Sequence, residues 1–579
     1  MNRETESHFS NIPQVGIERS RMDRSFDHKT SFNFGDLIPI YWDSVLPGDT
    51  VSLEMGAAMR MSTPVFPVMD SAYMDIFFWY VPYRILWKHT KEFYGENTTT
   101  KWIPETEYQM PAIKYQQKWQ KGSVADYLGV PPGVTGAVGK LINAMPFRAY
   151  VKIWNEWMRD QNLQDPAYMD DGDATLDQYA EETYNYQTGA IYGIKPLKAA
   201  KAHDYFTSCL PGVQKAPAVE VPTAGWAPVT SRNIGIPVKR SSWDESVVNS
   251  PGTSWAMIKN DSNYLYDSNL QTATNLRTGK VTGIMPTSDG SQYSNIYRTT
   301  GGDPPSAGQG TNLTPNNLWA DLNQATIATI SELRTAFAVQ RFAEAMARGG
   351  SRYREIISNI FKVTSPDGRV QIPEYLGGYR CPINMQQVVQ TSSTDSTSPQ
   401  GNTAAFSLTN MSQHLFTKSF VEPGIIMGCV VARTDHTYQQ GLYKEFTKFT
   451  KFDYYWPQLA HLSEQAVLNQ EIYLTGGDSD TEAFGYQERY AEYRYRPSTV
   501  SGAMRSTYAQ SLDAWHYADY YTQQPILGSE WIQETTANVD RTLAVPSETE
   551  DQLFGDFYFK QKWTRPMPIY SVPGMIDHY

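Results

Sequence analysis

Hydrophobic and polar positions alternate most regularly over residues 51–61. Val51, Leu53, Met55, Ala57, Met59 and Met61 fall on one side, and Ser52, Glu54, Gly56, Ala58 and Arg60 on the other. A period of two with one apolar side predicts a half-buried strand. Residues 26–34 alternate in the same way, with Phe26, His28, Thr30, Phe32 and Phe34 aligned, and Leu46-Pro47-Gly48-Asp49 between the two segments predicts a turn. Residues 73–81 are nearly all apolar or aromatic (Ile76, Phe77, Phe78, Trp79, Tyr80), the pattern of a strand covered on both faces. Further strands are expected at 407–410, 425–433 and 488–496, the last with Tyr493 and Tyr495 opposing Glu492, Arg494 and Arg496. Strands therefore gather early and late, so a sandwich of sheets must be closed by pairings between distant parts of the chain.

The middle of the chain follows a helical period. Phe147, Tyr150, Val151, Trp154, Trp157 and Met158 form one amphipathic stripe. Residues 326–348 predict a long helix ended by Gly349-Gly350; its two stripes (Ile330, Leu333, Phe337 and Val339, Phe342, Met346) predict a helix wedged between neighbours. Residues 222–316 differ in character: of 95 residues only 13 are charged, and Ser, Thr, Asn and Gly abound. A structureless loop of that length is improbable in a compact body, so this stretch is expected to leave it with strands of its own. Smaller excursions are expected at 101–139 and 391–402.

Composition narrows the class. The chain has 579 residues and a net charge of −12; 13% are aromatic and 19% charged. Disordered chains are poor in aromatics and rich in charge, the reverse of this balance. The length exceeds what one core accommodates, which predicts several domains or one core with large insertions. Cys209, Cys381 and Cys429 form no CxxC pair and are expected to be reduced thiols of a protein folded inside the cell. Residues 1–20 lack the apolar segment of an export signal, and the longest apolar runs, 76–81 and 425–432, are too short to span a bilayer. The negative charge argues against the whole surface wrapping a phosphate backbone.

Enzymatic chemistry finds little anchorage. Gly139-Lys140 resembles the end of a phosphate-binding loop, but Val134 stands at the first required glycine and Leu141 at the magnesium-ligating hydroxyl. The nine histidines form no HExxH or zinc spacing, and no GxSxG elbow occurs. These patterns predict no catalytic residue, metal or cofactor. The acidic run over 165–182 (Asp170, Asp171, Asp173, Asp177, Glu181, Glu182) does not follow an EF-hand order and reads most plainly as a solvated loop. The alternative is a carbohydrate-active β-sandwich enzyme working with two of these carboxylates. Arg19, Arg21, Arg24 and Lys29 lie interleaved with Phe26 and Phe32, a pattern that suits backbone neutralisation and base stacking on a single strand. An arm salt-bridged to a neighbouring surface is the competing reading.

A set of ordered strings carries a resemblance. Arg19-Ser-Arg-Met-Asp-Arg-Ser-Phe-Asp-His28 runs into Thr30-Ser-Phe-Asn-Phe-Gly-Asp-Leu-Ile-Pro39 and Leu46-Pro-Gly-Asp49. Asp75-Ile-Phe-Phe-Trp-Tyr-Val-Pro-Tyr-Arg84, Asn155-Glu-Trp-Met-Arg-Asp160, His203-Asp-Tyr-Phe-Thr-Ser208 and Phe484-Gly-Tyr-Gln-Glu-Arg-Tyr-Ala-Glu-Tyr-Arg494 follow. Together, from about Arg19 to the C-terminus, they resemble the major capsid protein of the Microviridae, in its gokushovirus-like branch.

The resemblance implies a mainly β fold: an eight-stranded antiparallel jelly roll with long helix-containing insertions, one capsid domain over 1–579. It implies an N-terminal arm over 1–25 and a protrusion at the three-fold axis, for which 222–316 is the candidate. It implies a structural role without enzymatic activity, namely a T=1 icosahedral shell around circular single-stranded DNA. A surface protrusion would serve host attachment. The implied partners are other copies of the chain, a small basic DNA-binding protein, a pilot protein, an internal scaffolding protein, the genome and a host receptor. The implied location is the virion, assembled in the bacterial cytoplasm without membrane insertion.

Overall fold

The computed structural model describes residues 19–100, 102–103, 106–115, 117, 119–175, 195–217, 219, 330–394 and 399–570, with six short strands between 229 and 320. The chain divides into two compact units, residues 1–215 with 342–579 and residues 216–341.

In the first unit nine strands form two large sheets. They are β1 (Ser20–Asp23), β2 (Phe26–Phe32), β3 (Ile38–Val45), β4 (Thr50–Met61), β5 (Ala72–Pro82), β6 (Glu374–Pro382), β7 (Thr409–Ser419), β8 (Gly424–Thr434) and β9 (Leu553–Arg565). One sheet runs β2–β9–β4–β7, with β1 pairing on β9 beside β2; the other runs β6–β5–β8–β3. Every pairing within these sheets is antiparallel.

The alternation in the sequence sets these faces. In β4 the six aligned apolar residues are buried while Glu54 and Arg60 face outward. In β9 Leu553, Phe557, Phe559 and Trp563 point inward, and Tyr558, Lys560 and Lys562 outward. The inward side chains meet Ile76, Phe78, Ile426 and Val430 of the other sheet in one core. Phe559 packs against the rings of Phe26 and Tyr41, each with centroids 5.1 Å away. The turn at Leu46-Pro47-Gly48-Asp49 moves the chain between sheets: Gly48 has φ +92°, which a side chain would strain, and Asp49 N donates to Leu46 O at 3.0 Å.

β5 and β8 are apolar on both faces, as the run over 73–81 predicts. Their second face, with Trp79, Val81, Met427, Cys429 and Val431, lies beneath a second core. Helix α1 (Met145–Ile153), extended by a π-helical turn (Trp154–Met158), supplies Phe147, Tyr150, Val151 and Trp154 to it. Arg148 of α1, fully buried, donates to Leu86 O and Gly172 O and so ties the cover to its own loops. A third core joins Tyr205 and Phe206 to Val467, Phe484 and Trp531.

Two expectations need correction. Residues 488–496 are not a strand. A strand ends at Gln487 (Ala483–Gln487), Tyr490 turns through φ +63°, and Ala491–Tyr493 is a 3-10 turn. The apparent alternation fails because Glu492 points inward, where it meets Lys448 at 3.0 Å. Helix α2 (Ile330–Arg348) exists and ends before Gly350 (φ +83°), but among the described residues its stripes stay uncovered: Ile330 and Phe337 are each 70% exposed. Helix α3 (Tyr353–Phe361) follows it. Three strand pairs in the second unit are nested: Val229–Ser231 with Leu318–Ala320, Val238–Arg240 with Leu313–Pro315, and Gly283–Ile284 with Ile296–Tyr297. The rest of 222–316 lies outside the described residues, as do residues 1–18 of the arm.

Phe559→Ala is expected to remove about 3–5 kcal/mol of stability, since it opens a cavity between the two sheets. Urea unfolding of the soluble subunit measures the loss; a change under about 1 kcal/mol would show that the sheets are not held through this core.

Candidate nucleic-acid and assembly surfaces

The basic segment near the N-terminus is part of a sheet. β1 and β2 follow one another along β9, so Arg21 stands opposite Thr564 and Lys29 opposite Asp556. These points are eight residues apart along β9, about 27 Å at ~3.4 Å per residue, so the four cations do not converge. Arg24 pairs with Asp43 at 2.6 Å and lies 5.0 Å from the Trp563 ring centroid. Arg19 donates to Gly48 O, and Lys29 reaches Asp556 at 3.4 Å. Arg21 presents an exposed side chain. The outward face it shares also carries Arg60, Lys560 and Lys562, cations not singled out in the sequence because their partners are distant in the chain. Asp23, Asp27, Glu54 and Asp556 on the same face nearly balance them, and Lys560 meets Glu54 at 3.0 Å.

The acidic run holds structure where it is described. Asp173 accepts from the Trp87 indole at 2.7 Å and sits 2.8 Å from His89 Nδ1. Asp170 lies 3.7 Å from the buried Arg148. Asp177, Glu181 and Glu182 lie outside the described residues.

The segment over 443–456 is unlike the rest of the surface. Several of its polar groups bond to one another or to the chain beneath. Asp453 accepts from Phe449 N at 3.1 Å and Thr450 N at 2.7 Å, and these bonds with the Thr450 hydroxyl hold its carboxyl below the usual range. The Trp456 indole donates to Lys451 O at 2.6 Å, and buried Lys448 is clamped by Glu445 at 2.8 Å and Glu492 at 3.0 Å. Its rings point outward: Phe446 is 69% exposed, Phe449 87% and Phe452 59%. A segment with closed hydrogen bonds and displayed phenyl rings is a preformed apolar surface, the kind that a protein partner covers. The repeated Phe-Thr-Lys at 446–451 is the signal in the sequence that marks it.

Two buried charge clusters fix the elements around these surfaces. Asp75, central in β5, receives Arg380 of β6 at 2.6 Å and the Nε of Arg433 of β8 at 3.0 Å, binding three adjacent strands through one carboxylate. Beyond β8, buried His436 stands between Asp519 (Nδ1, 3.0 Å) and Glu534 (Nε2, 3.2 Å). Burial disfavours the imidazolium, but the charges of Asp519 and Glu534 outweigh it and push its pKa up to about 10. Burial likewise opposes the Asp519 carboxylate, yet Lys201 and His436 hold it well below the usual range. Among the described residues no group of His, Cys, Asp and Glu is arranged to hold a metal ion.

Residues 10–575 match the family model described as capsid protein (F protein). The chain is similar along its length to proteins called capsid protein VP1. That of Bdellovibrio phage phiMH2K is 40% identical, covering 100% of this chain and 99% of the relative. That of Spiroplasma virus 4 is 40% identical, and that of Chlamydia phage 1 is 38% identical, each covering 98% of this chain and 97% of the relative.

The His436 pKa is raised from an ordinary 6.5 to about 10. Its stabilisation is therefore complete below about pH 6.5 and lost as pH rises through about 10. His436→Gln removes the cation that Asp519 and Glu534 share, leaving Asp519 with Lys201, which is expected to cost about 3–5 kcal/mol at neutral pH. Unfolding midpoints between pH 6 and 10, about those two pKa limits, check this: the wild type should weaken steadily, and the variant should be weaker at pH 6 and flatter. A wild-type curve as flat as the variant's would contradict a charged His436.

Proposed function

The chain belongs to the capsid protein (F protein) family, and on that premise we propose how it builds a particle. It is a phage capsid protein of the gokushovirus-like Microviridae, a structural subunit of a multi-copy shell. Copies close into a T=1 icosahedral shell around circular single-stranded DNA. The eight strands β2 to β9 make a jelly roll. The observation that carries this reading is the strand order: successive strands alternate between the sheets β2–β9–β4–β7 and β6–β5–β8–β3, except that β5 and β6 pair directly. Residues 83–373, between those two, hold the largest insertion.

Residues 222–316 form the protrusion at the three-fold axis and carry host attachment. Supporting this are the nested strand pairs, which let the chain leave and return at neighbouring points. The preformed aromatic segment over 443–456 is covered by a neighbouring copy. The arm over 1–25 faces inward, and Arg19, Arg21 and Arg24 of it, with Lys29 just beyond, contact the inner surface or the DNA. A subunit of charge −12 does not neutralise packaged phosphate unaided, which favours a small basic DNA-binding protein as partner, with pilot and internal scaffolding proteins during assembly. Assembly takes place in the bacterial cytoplasm; no described helix is long and apolar enough to cross a membrane.

Replacing residues 222–316 by a short Gly-Ser linker should leave a soluble subunit that still enters particles but no longer adsorbs to host cells. Insoluble product, or particles that adsorb normally, would contradict the protrusion. Phe449→Ser with Phe452→Ser should shift the protein from fast-sedimenting particles to free subunits, with stability changed by no more than about 0.5 kcal/mol. Particles of normal yield would remove this segment from the interface.

A further inference from the structure

Within the first unit, Met385–Val389 and Thr403–Ser407 form an antiparallel hairpin that lies between β6 and β7 in the chain. Among the described residues neither strand pairs with any other. Gln386, Gln387, Val388 and Val389 are all exposed, and a run of consecutive exposed residues leaves both faces of the strand open. Val388 is 45% exposed, Val389 44% and Phe406 44%, so this open surface is partly apolar. A bare strand edge offers unpaired N–H and C=O groups to any other strand, and charged side chains or a covering segment are the usual protection. The large sheets have that protection. β2 carries Asp27 and Lys29, β7 carries Lys418, and β6 carries Glu374 and Arg380. On β3 the Trp42 indole donates to Leu128 O at 2.9 Å, which brings the segment over 124–128 beside that edge. Met385-Gln-Gln-Val-Val389 has no charge and no proline.

The hydrogen-bond phase of the hairpin decides what can join it. Gln390 N donates to Asn402 O at 2.8 Å, one step beyond the Val389–Thr403 position. Antiparallel positions alternate between bonded and non-bonded pairs, so Gln386 and Val388 bond within the hairpin. The backbone groups of Met385, Gln387 and Val389 therefore point to the open edge. A second copy of the same strand, antiparallel and centred on Gln387, would meet these groups with its own. Val389 would then stand opposite Met385 of the second copy, an apolar pair on each side of the centre. The two Gln387 amides would face each other as donor and acceptor, and no like charges would meet because the strand has none. A strand paired with itself in this way lies on a two-fold axis, the symmetry of an isologous contact.

We propose that Met385–Val389 is a strand-addition edge whose occupant is the same strand of a second copy, so that two hairpins join into one continuous sheet across a two-fold axis of the shell. Main-chain hydrogen bonds supply the attraction in such a contact, and the side chains at alternate positions set the register. The inference deepens the T=1 reading and rests on it, since a closed icosahedral shell repeats a two-fold contact over its whole surface.

The test uses the full chain, assembled with its partners into particles. Gln387→Cys sets two thiols across the axis on Cα atoms about 5.5 Å apart, the spacing of a bonded antiparallel pair. A short bismaleimide should then link most subunits in pairs on a denaturing gel. Ala404→Cys, also exposed but on the far strand of the hairpin, stands about 16 Å from its mate at ~4.8 Å per strand and ~3.4 Å per residue, and should link about tenfold less. Cys209, Cys381 and Cys429 are buried and do not compete. Gln387→Lys and Gln387→Glu each set like charges opposite one another, so each alone should lower particle yield about tenfold, and the two expressed together should restore it. No pairs from Gln387→Cys, equal linking at Ala404→Cys, or normal yield from both charged variants would overturn the proposal. So would a loss that co-expression does not restore, which would give the edge to a strand of a different protein. Circular dichroism checks that the charged variants fold, and the cross-link comparison stands even if one does not. Wild-type particles without Gln387→Cys pairs retire this contact alone, whereas absence of particles from wild type retires the shell reading.

Discussion

The rest of the structure depends on the double-sided apolar character of β5 and β8. One face of each closes against the other sheet through Ile76, Phe78, Ile426 and Val430, and the second face, with Trp79, Val81, Met427 and Val431, must also be kept from water. Left bare, that second face would give up about 25 cal/mol for each Å² of apolar surface exposed. The insertion after β5 therefore does more than lengthen the chain: α1 and its π turn are the lid that makes the central strands of the second sheet possible.

Charge is used with the same economy of position. Asp75 sits where the register brings Arg380 and Arg433 to it from both neighbouring strands, so one carboxylate specifies the order of three strands. His436 joins the end of β8 to Asp519 and Glu534 of the late chain, which then returns as β9 into the first sheet. On the outward face of the first sheet Lys29 and Lys560 are likewise paired within the chain. The outward rings of Phe446, Phe449 and Phe452 are apolar surface that the single subunit leaves exposed.

The sheets were legible wherever burial is one-sided or complete. The alternation over 51–61 and the apolar run over 73–81 correspond to β4 and β5, because each pattern reports directly which faces meet water. Residues 488–496 misled because Glu492 is polar yet buried, its charge answered by Lys448 more than forty residues earlier, a pairing no local pattern encodes. The stripes of α2 report apolar area correctly but not its cover. Among the candidate site residues, the cations at Arg19, Arg21, Arg24 and Lys29 were visible as a cluster, whereas their separation along β9 follows from a pairing more than five hundred residues distant.

A cryo-electron-microscopy reconstruction of the particles formed by this chain tests the central claim most directly. The account predicts a closed T=1 lattice in which each subunit shows the two packed sheets, with the rings over 443–456 covered by an adjacent copy. A monodisperse free subunit under conditions where its partners are present, or a shell that leaves those rings facing solvent, would contradict it.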